Sequence, residues 1–410
     1  MRKRWWIAIG SFALVCLPAL NLGCSGGGSV ETNAAQSSGA ADGRSDASHK
    51  KAPTLTPQQS NTTHGLIGIS PVNKKVVWAS GRNGTFLRTT DGGKHWTAGT
   101  VAGAETLQFR DVQGVSDKVA YLLSIGAGPA SRIYKTTDGG QSWTLQFQAT
   151  DPNAFYDCFA FWSPTQGITM ADSISGRFPV IRTLDGKTWQ DIGDQLPSAL
   201  PGESGFAASG TCAATQGKRK AWLATGGTNT VARVLRTADR GQTWATAEVP
   251  LTVGDQFAGG VISVGFRDGR HGFAAGGDLT ATGIGDNFAR SSDGGKTWTK
   301  VTSAPIRGAL FGAAYAIDRE DGEGDHEDDD DQGEDQGESD RGHHDDHAKV
   351  TVVATSPGLG DVPGGTAWSP DEGDTWNLLD GVTGFWAVAF ADEKNGWLVG
   401  VNGTISKIEF

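Results

Sequence analysis

Acidic side chains recur in the middle of this chain, beside short apolar runs that have the length of β-strands. Four of them are candidate catalytic residues, namely Asp157, Asp172, Glu203 and Asp278. Two carboxyl groups that face each other across a glycosidic bond can act as acid and base, or as acid and nucleophile. The sequence does not give the distances between these carboxyl groups in the folded chain. Two interpretations therefore stay open, acid–base chemistry on a glycoside and polar networks that stabilise the fold.

The same region offers three candidate ligand-binding residues, Tyr156, Arg177 and Arg233. A phenol and two guanidinium groups beside carboxylates can donate hydrogen bonds to a polar ligand. No cofactor is predicted, since the glycine cluster at residues 358–364 lacks the strand–turn–helix context of a dinucleotide site. There is also no Cys-x-x-Cys motif.

The body of the chain contains two cysteines, Cys158 and Cys212, in stretches predicted to be the first strands of consecutive repeats. In an oxidising compartment two such cysteines can pair. The two cysteines are therefore expected either to form a disulfide or to remain as buried free thiols.

A strongly acidic run interrupts the chain at residues 319–347. It holds 15 Asp and Glu against two Arg, so this run carries a charge of −13 and the remainder of the chain is nearly neutral. With almost nothing apolar, it predicts a disordered insertion at 319–348. His343, His344 and His347 beside its carboxylates are weak candidate ligands for a divalent cation, because calcium-loop spacing and cysteines are lacking. Neither part of the chain has the strongly basic face of a nucleic-acid-binding protein.

The elements that must position these residues are shown by a motif that occurs six times, with eight residues in five copies and seven in the short copy at 183–189. Its form is Ser/Thr-x-Asp-x-Gly-x-Thr-Trp, the Asp-box of BNR-type repeats, and its aspartates are Asp91, Asp138, Asp185, Asp239, Asp293 and Asp371. The steps between these aspartates are 47, 47, 54, 54 and 78 residues. A period near 50 is typical of a β-propeller, and the insertion explains the long last step. The box predicts a hairpin turn, in which the carboxylate accepts backbone N–H groups and glycine takes a positive φ.

Between the boxes, glycine-rich turns separate short strand-like runs, which predicts an all-β chain. Each repeat has four strands, with the box joining the third to the fourth and the Trp opening the fourth. Seven first strands can be identified, the fourth of them at residues 205–214. The last repeat ends before its fourth strand, which residues 52–58 would supply. We therefore expect a single seven-bladed β-propeller, closed as a ring by strands from both ends of the chain.

A basic side chain stands three residues before most box aspartates. The set is Arg88, Lys135, Arg182, Arg236 and Arg290, with Lys407 at the aligned position of the last repeat. Such a band could dock an acidic protein surface or anionic lipid headgroups. The alternative is that these side chains pack along their own strands and pair with local acids.

The N-terminus has the pattern of an export signal. Arg2, Lys3 and Arg4 precede an apolar run that is too short for a confident membrane span, and residues 20–24 resemble a bacterial lipobox ending in Cys24. We expect a signal peptide at 1–24, lipidation of Cys24 and a flexible tether at 25–60 before the propeller at 61–410. We expect the protein in the periplasm or the outer envelope, with the cell surface as a further alternative.

With these repeats, the chain resembles the photosystem II stability/assembly factor-like proteins, an Asp-box propeller family, over residues 61–410 outside the insertion. The boxes indicate only the fold. Residues 155–179, 201–227 and 273–278 are similar to a bacterial branch of unknown function, whose members often carry the label "oxidoreductase". The resemblance implies a non-enzymatic assembly factor that uses a positively charged face, to which Arg88, Lys135, Arg182, Arg236 and Arg290 would correspond.

The sequence thus predicts an exported, lipid-anchored propeller that acts as an interaction scaffold for an envelope or membrane-complex protein. The alternative function is glycan binding or glycoside hydrolysis, as in sialidase-like or xyloglucanase-like BNR proteins, at the channel mouth of the third to fifth blades.

Overall fold

The computed structural model describes residues 51–228, 230–254, 259–317 and 350–410. This part of the chain contains 29 β-strands and three 3-10 turns, and no α-helix. The all-β prediction is therefore confirmed. The predicted signal peptide with Cys24, the tether up to residue 50 and the 319–348 insertion with its three histidines lie outside the described residues. No helix in the described part is long and apolar enough to cross a membrane.

The strands follow one another with short connections. The first thirteen are β1 (Thr54–Gln58), β2 (Leu66–Pro71), β3 (Val77–Gly81), β4 (Thr85–Thr89), β5 (Thr97–Thr100), β6 (Gln108–Gly114), β7 (Ala120–Ile125), β8 (Arg132–Thr136), β9 (Thr144–Gln148), β10 (Tyr156–Ser163), β11 (Gln166–Ala171), β12 (Val180–Thr183) and β13 (Gln190–Asp191). The next nine are β14 (Glu203–Ser204), β15 (Ala213–Gln216), β16 (Lys220–Gly227), β17 (Arg233–Thr237), β18 (Ala245–Glu248), β19 (Gly259–Phe266), β20 (Gly272–Asp278), β21 (Phe288–Ser291) and β22 (Thr299–Lys300). The last seven are β23 (Gly312–Ala316), β24 (Thr351–Ser356), β25 (Gly365–Ser369), β26 (Asn377–Leu378), β27 (Phe385–Asp392), β28 (Asn395–Gly400) and β29 (Ile405–Glu409). The 3-10 turns are Gly128–Ala130, Gly193–Gln195 and Val401–Gly403.

These strands form six antiparallel sheets, numbered here in chain order. Sheets 1, 2 and 3 are the four-stranded meanders β2–β5, β6–β9 and β10–β13, and sheet 5 is the meander β23–β26. Sheet 6 has the order β1-β29-β28-β27. Because the strands are antiparallel, the hairpins between first and second strands and those between third and fourth strands lie at the same end of each sheet. We call this end the box end, because the Asp-boxes lie there.

Sheet 4 has nine strands and differs from the others. It consists of two meanders that are joined where Gly226 and Gly227 of β16 pair with Gly260 and Gly259 of β19. Side chains could not be accommodated there, since a Cβ on Gly226 would meet the backbone of Gly259. The prediction of one first strand at residues 205–214 is wrong, because two short strands, β14 and β15, pair with β16 there and the segment between them is not a strand.

The two ends of the described chain meet in sheet 6. β1 pairs antiparallel with β29, and Thr56 lies opposite Lys407. The tether predicted to extend to residue 60 is therefore shortened, because Thr54–Gln58 is bonded into a sheet rather than free.

Apolar side chains from neighbouring sheets pack face to face. One cluster combines Trp78 and Phe86 of sheet 1 with Phe109 and Tyr134 of sheet 2. Equivalent clusters join sheets 2 and 3, 3 and 4, 4 and 5, 5 and 6, and 6 and 1. Burial of these faces is the main source of stability in such an arrangement.

Each box is a hydrogen-bonded hairpin. In the first box, Thr89 Oγ1 donates to Asp91 Oδ1 (2.8 Å) and accepts the N–H of Gly93 (3.0 Å), while Asp91 Oδ1 accepts the N–H of His95 (3.0 Å). Gly93 has a φ of +86°, which favours glycine. The same bonds recur in the other boxes, including the short one, where Asp185 accepts the N–H groups of Lys187 and Thr188.

These bonds make the fold acid-sensitive. The hydroxyl and the N–H of Ser142 lower the pKa of Asp138 to about 2 from its ordinary value of 3.8. A carboxylate with a lowered pKa in the folded state contributes stability above pH 3.8 that is lost as the pH falls through about 2. Asp138→Asn should therefore be less stable than the wild type at pH 7, and this difference should shrink as the pH falls to about 2. Thermal unfolding midpoints measured against pH for both proteins test this expectation, and a difference that stays constant down to the lowest pH contradicts it.

Candidate functional site

Asp157, on β10, is buried inside the fold. It is 1% exposed, and its Oδ2 accepts no hydrogen bond from the described residues. Burial raises the pKa of Asp157 well above its usual range, the neighbouring charge of Asp172 raises it further, and Arg110 opposes the shift. Its surroundings therefore favour the protonated form of Asp157 over the carboxylate. Gly205 packs against the carboxyl group, so a substrate has no access from that side.

Glu203, on β14, is held by a buried ion pair. Arg233 Nη2 donates to Oε2 (2.6 Å) and Arg233 Nε donates to Oε1 (2.8 Å). Thr225 Oγ1 also donates to Oε1 (2.6 Å), and the N–H of Leu200 donates to Oε2 (2.8 Å). Both oxygens are thus occupied by bonds within the fold, which is a structural role rather than that of an acid or base.

The remaining candidates belong to other hydrogen-bond sets. Arg177 is bound by Asp191 (2.7 Å) and Asp194 (2.6 Å). Asp278 Oδ1 accepts the N–H and the hydroxyl of Thr280, as in a turn. The structure brings Asp157 close to Asp172 and pairs Glu203 with Arg233. The convergence of all these residues at one mouth stays a prediction.

The centre of the molecule is filled by apolar side chains from several sheets. This central cluster comprises Ile67, Phe206, Ala208, Ile262, Ala309, Phe311 and Trp386. Phe206 and Ala208 come from the segment between β14 and β15, where Ser209 Oγ donates to the carbonyl of Phe311 (2.6 Å). The segment predicted as a strand therefore fills the interior instead of extending a sheet.

Two buried charged residues beside this cluster were not singled out from the sequence. Arg110 Nη1 donates to the carbonyl of Ala208 (3.0 Å), and its guanidinium carbon lies 4.7 Å from the ring centroid of Trp386. Asp111 accepts the N–H groups of Phe159 (2.8 Å) and Val112 (2.7 Å), and its burial raises its pKa well above the usual range. The signal that could have identified them is an adjacent Arg-Asp pair in the middle of a predicted first strand, between Phe109 and Val112.

A cavity of about 670 Å³ opens at the box end of the first strands. Its walls come from sheets 1 to 6 and include Phe161, Trp162, Thr215, Arg267 and Tyr315. Arg267 is held by Glu372 (2.9 Å) and Asp268 (3.1 Å). This concave, partly aromatic surface has the size of small-ligand and peptide sites.

The predicted basic band lies around that end, and all six side chains are half-buried. Three of them reach the next sheet: Arg88 donates to the carbonyl of Asp117 (2.6 Å), Lys135 to that of Gly186 (3.0 Å) and Arg182 to that of Arg240 (2.6 Å). Each such bond links two sheets but leaves the positive charge without a carboxylate partner.

The other members of the band differ in their partners. Arg290 pairs with Asp374 (2.9 Å) and Lys407 with Glu409 (2.8 Å). Arg236, on β17, has a buried Nε without a hydrogen-bond partner in the described chain. Among the described residues, Arg88, Lys135, Arg182 and Arg236 thus form an arc on consecutive meanders without ion pairs, whereas Arg290 and Lys407 are neutralised.

Cys158 and Cys212 form a disulfide with Cα atoms 5.9 Å apart. The bond connects β10 of sheet 3 to the segment that enters the central cluster, and both residues are buried. It therefore fixes one end of that segment.

No group of three or more His, Cys, Asp or Glu side chains in the described part of the chain is arranged to hold a metal ion. His343, His344 and His347 lie outside that part.

No family model matches this sequence, and no curated protein matches it. Solved structures do resemble it. YCF48 bound to a D1 peptide has a TM-score of 0.54 at 15% identity, covering 88% of this chain and 96% of that chain. YCF48 from Cyanidioschyzon merolae has a TM-score of 0.55 at 14% identity, covering 88% and 99%. A GH74 enzyme from Niastella koreensis covers 82% of this chain and 56% of that chain at 14% identity, but its TM-score of 0.39 supports no argument. The described chain has a YCF48-like propeller fold.

Proposed function

We propose that this protein is an exported, non-enzymatic propeller that binds an acidic segment of an envelope or membrane-complex protein and serves as a scaffold. The arc of Arg88, Lys135, Arg182 and Arg236 is the observation that carries this proposal. Among the described residues these four side chains have no ion pair with a carboxylate, and they lie at the same box end as the opening of the 670 Å³ cavity. The YCF48 structure with a bound D1 peptide shows that a propeller of this fold can bind a peptide.

The charges at the hairpin tips also favour docking of the partner at the box end of the sheets. On sheets 1 to 3 the box end also presents the exposed lysines Lys74, Lys75, Lys94, Lys118 and Lys187. On sheets 5 and 6 acidic residues are prominent there, among them Asp371, Glu372, Asp374, Asp392 and Glu393. An acidic partner would therefore approach sheets 1 to 3, because complementary charge accelerates and orients association.

We further propose that the six sheets form one ring of seven blades, with sheet 4 supplying two and the pairing of β1 with β29 closing the ring. The apolar clusters between successive sheets, including those of sheets 6 and 1, support this arrangement. An electron cryo-microscopy map with six or eight blades would contradict it.

Export and anchoring through Cys24 are also proposals. The disulfide supports export, since such bonds persist in oxidising compartments. With a signal peptide at 1–24 and a tether that ends before Thr54, the lipid on Cys24 would hold the propeller at a membrane surface.

Reversing charge at the exposed tips tests the docking surface. Lys94→Glu/Lys187→Glu should reduce partner capture at least tenfold, because the partner then meets negative charge, which costs several kcal/mol at an interface. These two lysines occupy the same box position as Lys296 of sheet 4, and all three are exposed. The measurement is affinity capture of the full-length protein from detergent-solubilised envelope, with bound proteins quantified by mass spectrometry.

Lys296→Glu is the matched control and should capture the same protein as the wild type. Equal capture by the double variant would exclude this surface. Fractionation of the same cells into membrane and soluble parts tests the lipid anchor. If Cys24 is lipidated, the Cys24→Ser protein should move from the membrane fraction to the soluble fraction.

A further inference from the structure

A second cavity, of about 350 Å³, lies between sheets 2 and 3, and none of the four arc residues lines it. It is lined by three aromatic residues, Phe147 of β9, Tyr156 of β10 and Trp189, together with Asp151, Arg177 and Asp191. Cavities of this size with aromatic walls and a few polar groups are typical small-molecule sites.

The aromatic rings form two walls of the cavity. The centroids of Phe147 and Tyr156 are 5.1 Å apart, with ring planes at 79°. Trp189, the box tryptophan of sheet 3, is only partly buried. Flat apolar faces of this kind pack against the C–H face of a ring-shaped ligand.

Tyr156 is the observation that points to a ligand. It is 4% exposed as a residue and lines the cavity, and no hydrogen bond joins its hydroxyl to another described residue. Because this side chain lines the cavity, a ligand bound there can supply the hydrogen-bond partner that the described residues do not. Burial and the nearby charge of Asp191 raise the pKa of Tyr156, so the hydroxyl keeps its proton and can donate.

The charged groups restrict the ligand class. Arg177 is bound by Asp191 and Asp194 through one oxygen of each, and Asp191 Oδ1 also accepts the N–H of Gly193 (2.8 Å). Asp151 adds a third carboxylate, so the site is acidic overall and disfavours anions. Arg177 offsets part of this negative charge through its bonds to Asp191 and Asp194, and the carboxylate oxygens that it does not occupy are hydrogen-bond acceptors for hydroxyl groups.

A neutral ligand with an apolar face and several hydroxyl groups satisfies all of these conditions. We infer that this cavity binds one neutral pyranose unit of a glycan. The ring would pack on the aromatic walls, its hydroxyls donating to Asp191 and Asp151 and accepting from Tyr156. This site differs from the predicted one at the channel mouth and does not depend on the docking surface.

Ligand-observed saturation-transfer NMR on the full-length protein tests the inference. The probes are methyl β-glucopyranoside, methyl β-galactopyranoside, methyl α-mannopyranoside and methyl β-N-acetylglucosaminide, with choline and sialic acid as charged comparators. At least one neutral pyranoside should receive saturation, and Tyr156→Phe should weaken its binding about fivefold, the effect of one hydrogen bond. Trp189→Leu should weaken it at least tenfold through loss of the aromatic wall.

Two matched variants serve as controls. Tyr134→Phe removes a hydroxyl that accepts from Arg132 outside the cavity, and Trp376→Leu removes the box tryptophan of sheet 5; both should bind as the wild type does. Saturation of no neutral pyranoside overturns the inference. So does saturation of choline or sialic acid alone, or binding that is equal in Tyr156→Phe and in the wild type.

Discussion

Replacing Arg233 with methionine should lower the free energy of unfolding by about 3–5 kcal/mol, because it leaves the buried charge of Glu203 without its partner. Glu203 is 0% exposed and both of its oxygens bond to Arg233. Thr225 and the N–H of Leu200 cannot compensate for a full negative charge. Urea denaturation followed by tryptophan fluorescence measures the loss.

The double variant Glu203→Gln/Arg233→Met separates this cause from lost packing. Because it removes both charges, it should be more stable than Arg233→Met alone. Lys300→Met is the control at an exposed pair, where Lys300 and Asp286 are 54% and 44% exposed, and it should change stability by less than about 1 kcal/mol. If Arg233→Met and the double variant lose the same stability, the uncompensated charge is not the cause.

The regular parts of this fold could be predicted because they are encoded locally. A box needs only a few adjacent residues to form its turn, as the bonds from Thr89 and His95 to Asp91 illustrate. Short, largely apolar runs such as those of β7 and β24 likewise indicate buried strands without reference to distant residues. The all-β class and its division into four-stranded units follow from such signals.

The site could be predicted only in part, because its geometry depends on contacts between distant segments. Glu203 and Arg233 are 30 residues apart, and nothing in either local sequence shows that they are paired. The segment around Phe206 has a strand-like composition, but the bond from Ser209 to Phe311, 102 residues away, draws it into the central cluster. Tyr156 and Arg177 were identified as ligand-binding candidates, whereas the cavity that they share with Trp189 arises only from the packing of sheets 2 and 3.

Reducing the disulfide should destabilise the protein by about 4 kcal/mol, the loop-closure value for a cross-link across this chain separation. The separation between Cys158 and Cys212 is 54 residues. Loss of the cross-link gives the unfolded chain more conformational freedom. In the folded state it also releases one end of the segment that carries Phe206 and Ala208 into the central cluster. Urea denaturation with and without a dithiol reductant measures the effect.

The control for this experiment is Cys158→Ala/Cys212→Ala, which should have the stability of the reduced wild type and no response to reductant. The other two cysteines, Cys16 and Cys24, precede the described residues, so a response that survives in the double variant would have to come from them. Because Cys158 and Cys212 are 0% and 1% exposed, the reductant should act at the rate of unfolding rather than on the native state. If the unfolding midpoint of the wild type is unchanged after complete reduction, packing and not the cross-link holds the segment between β14 and β15 in place.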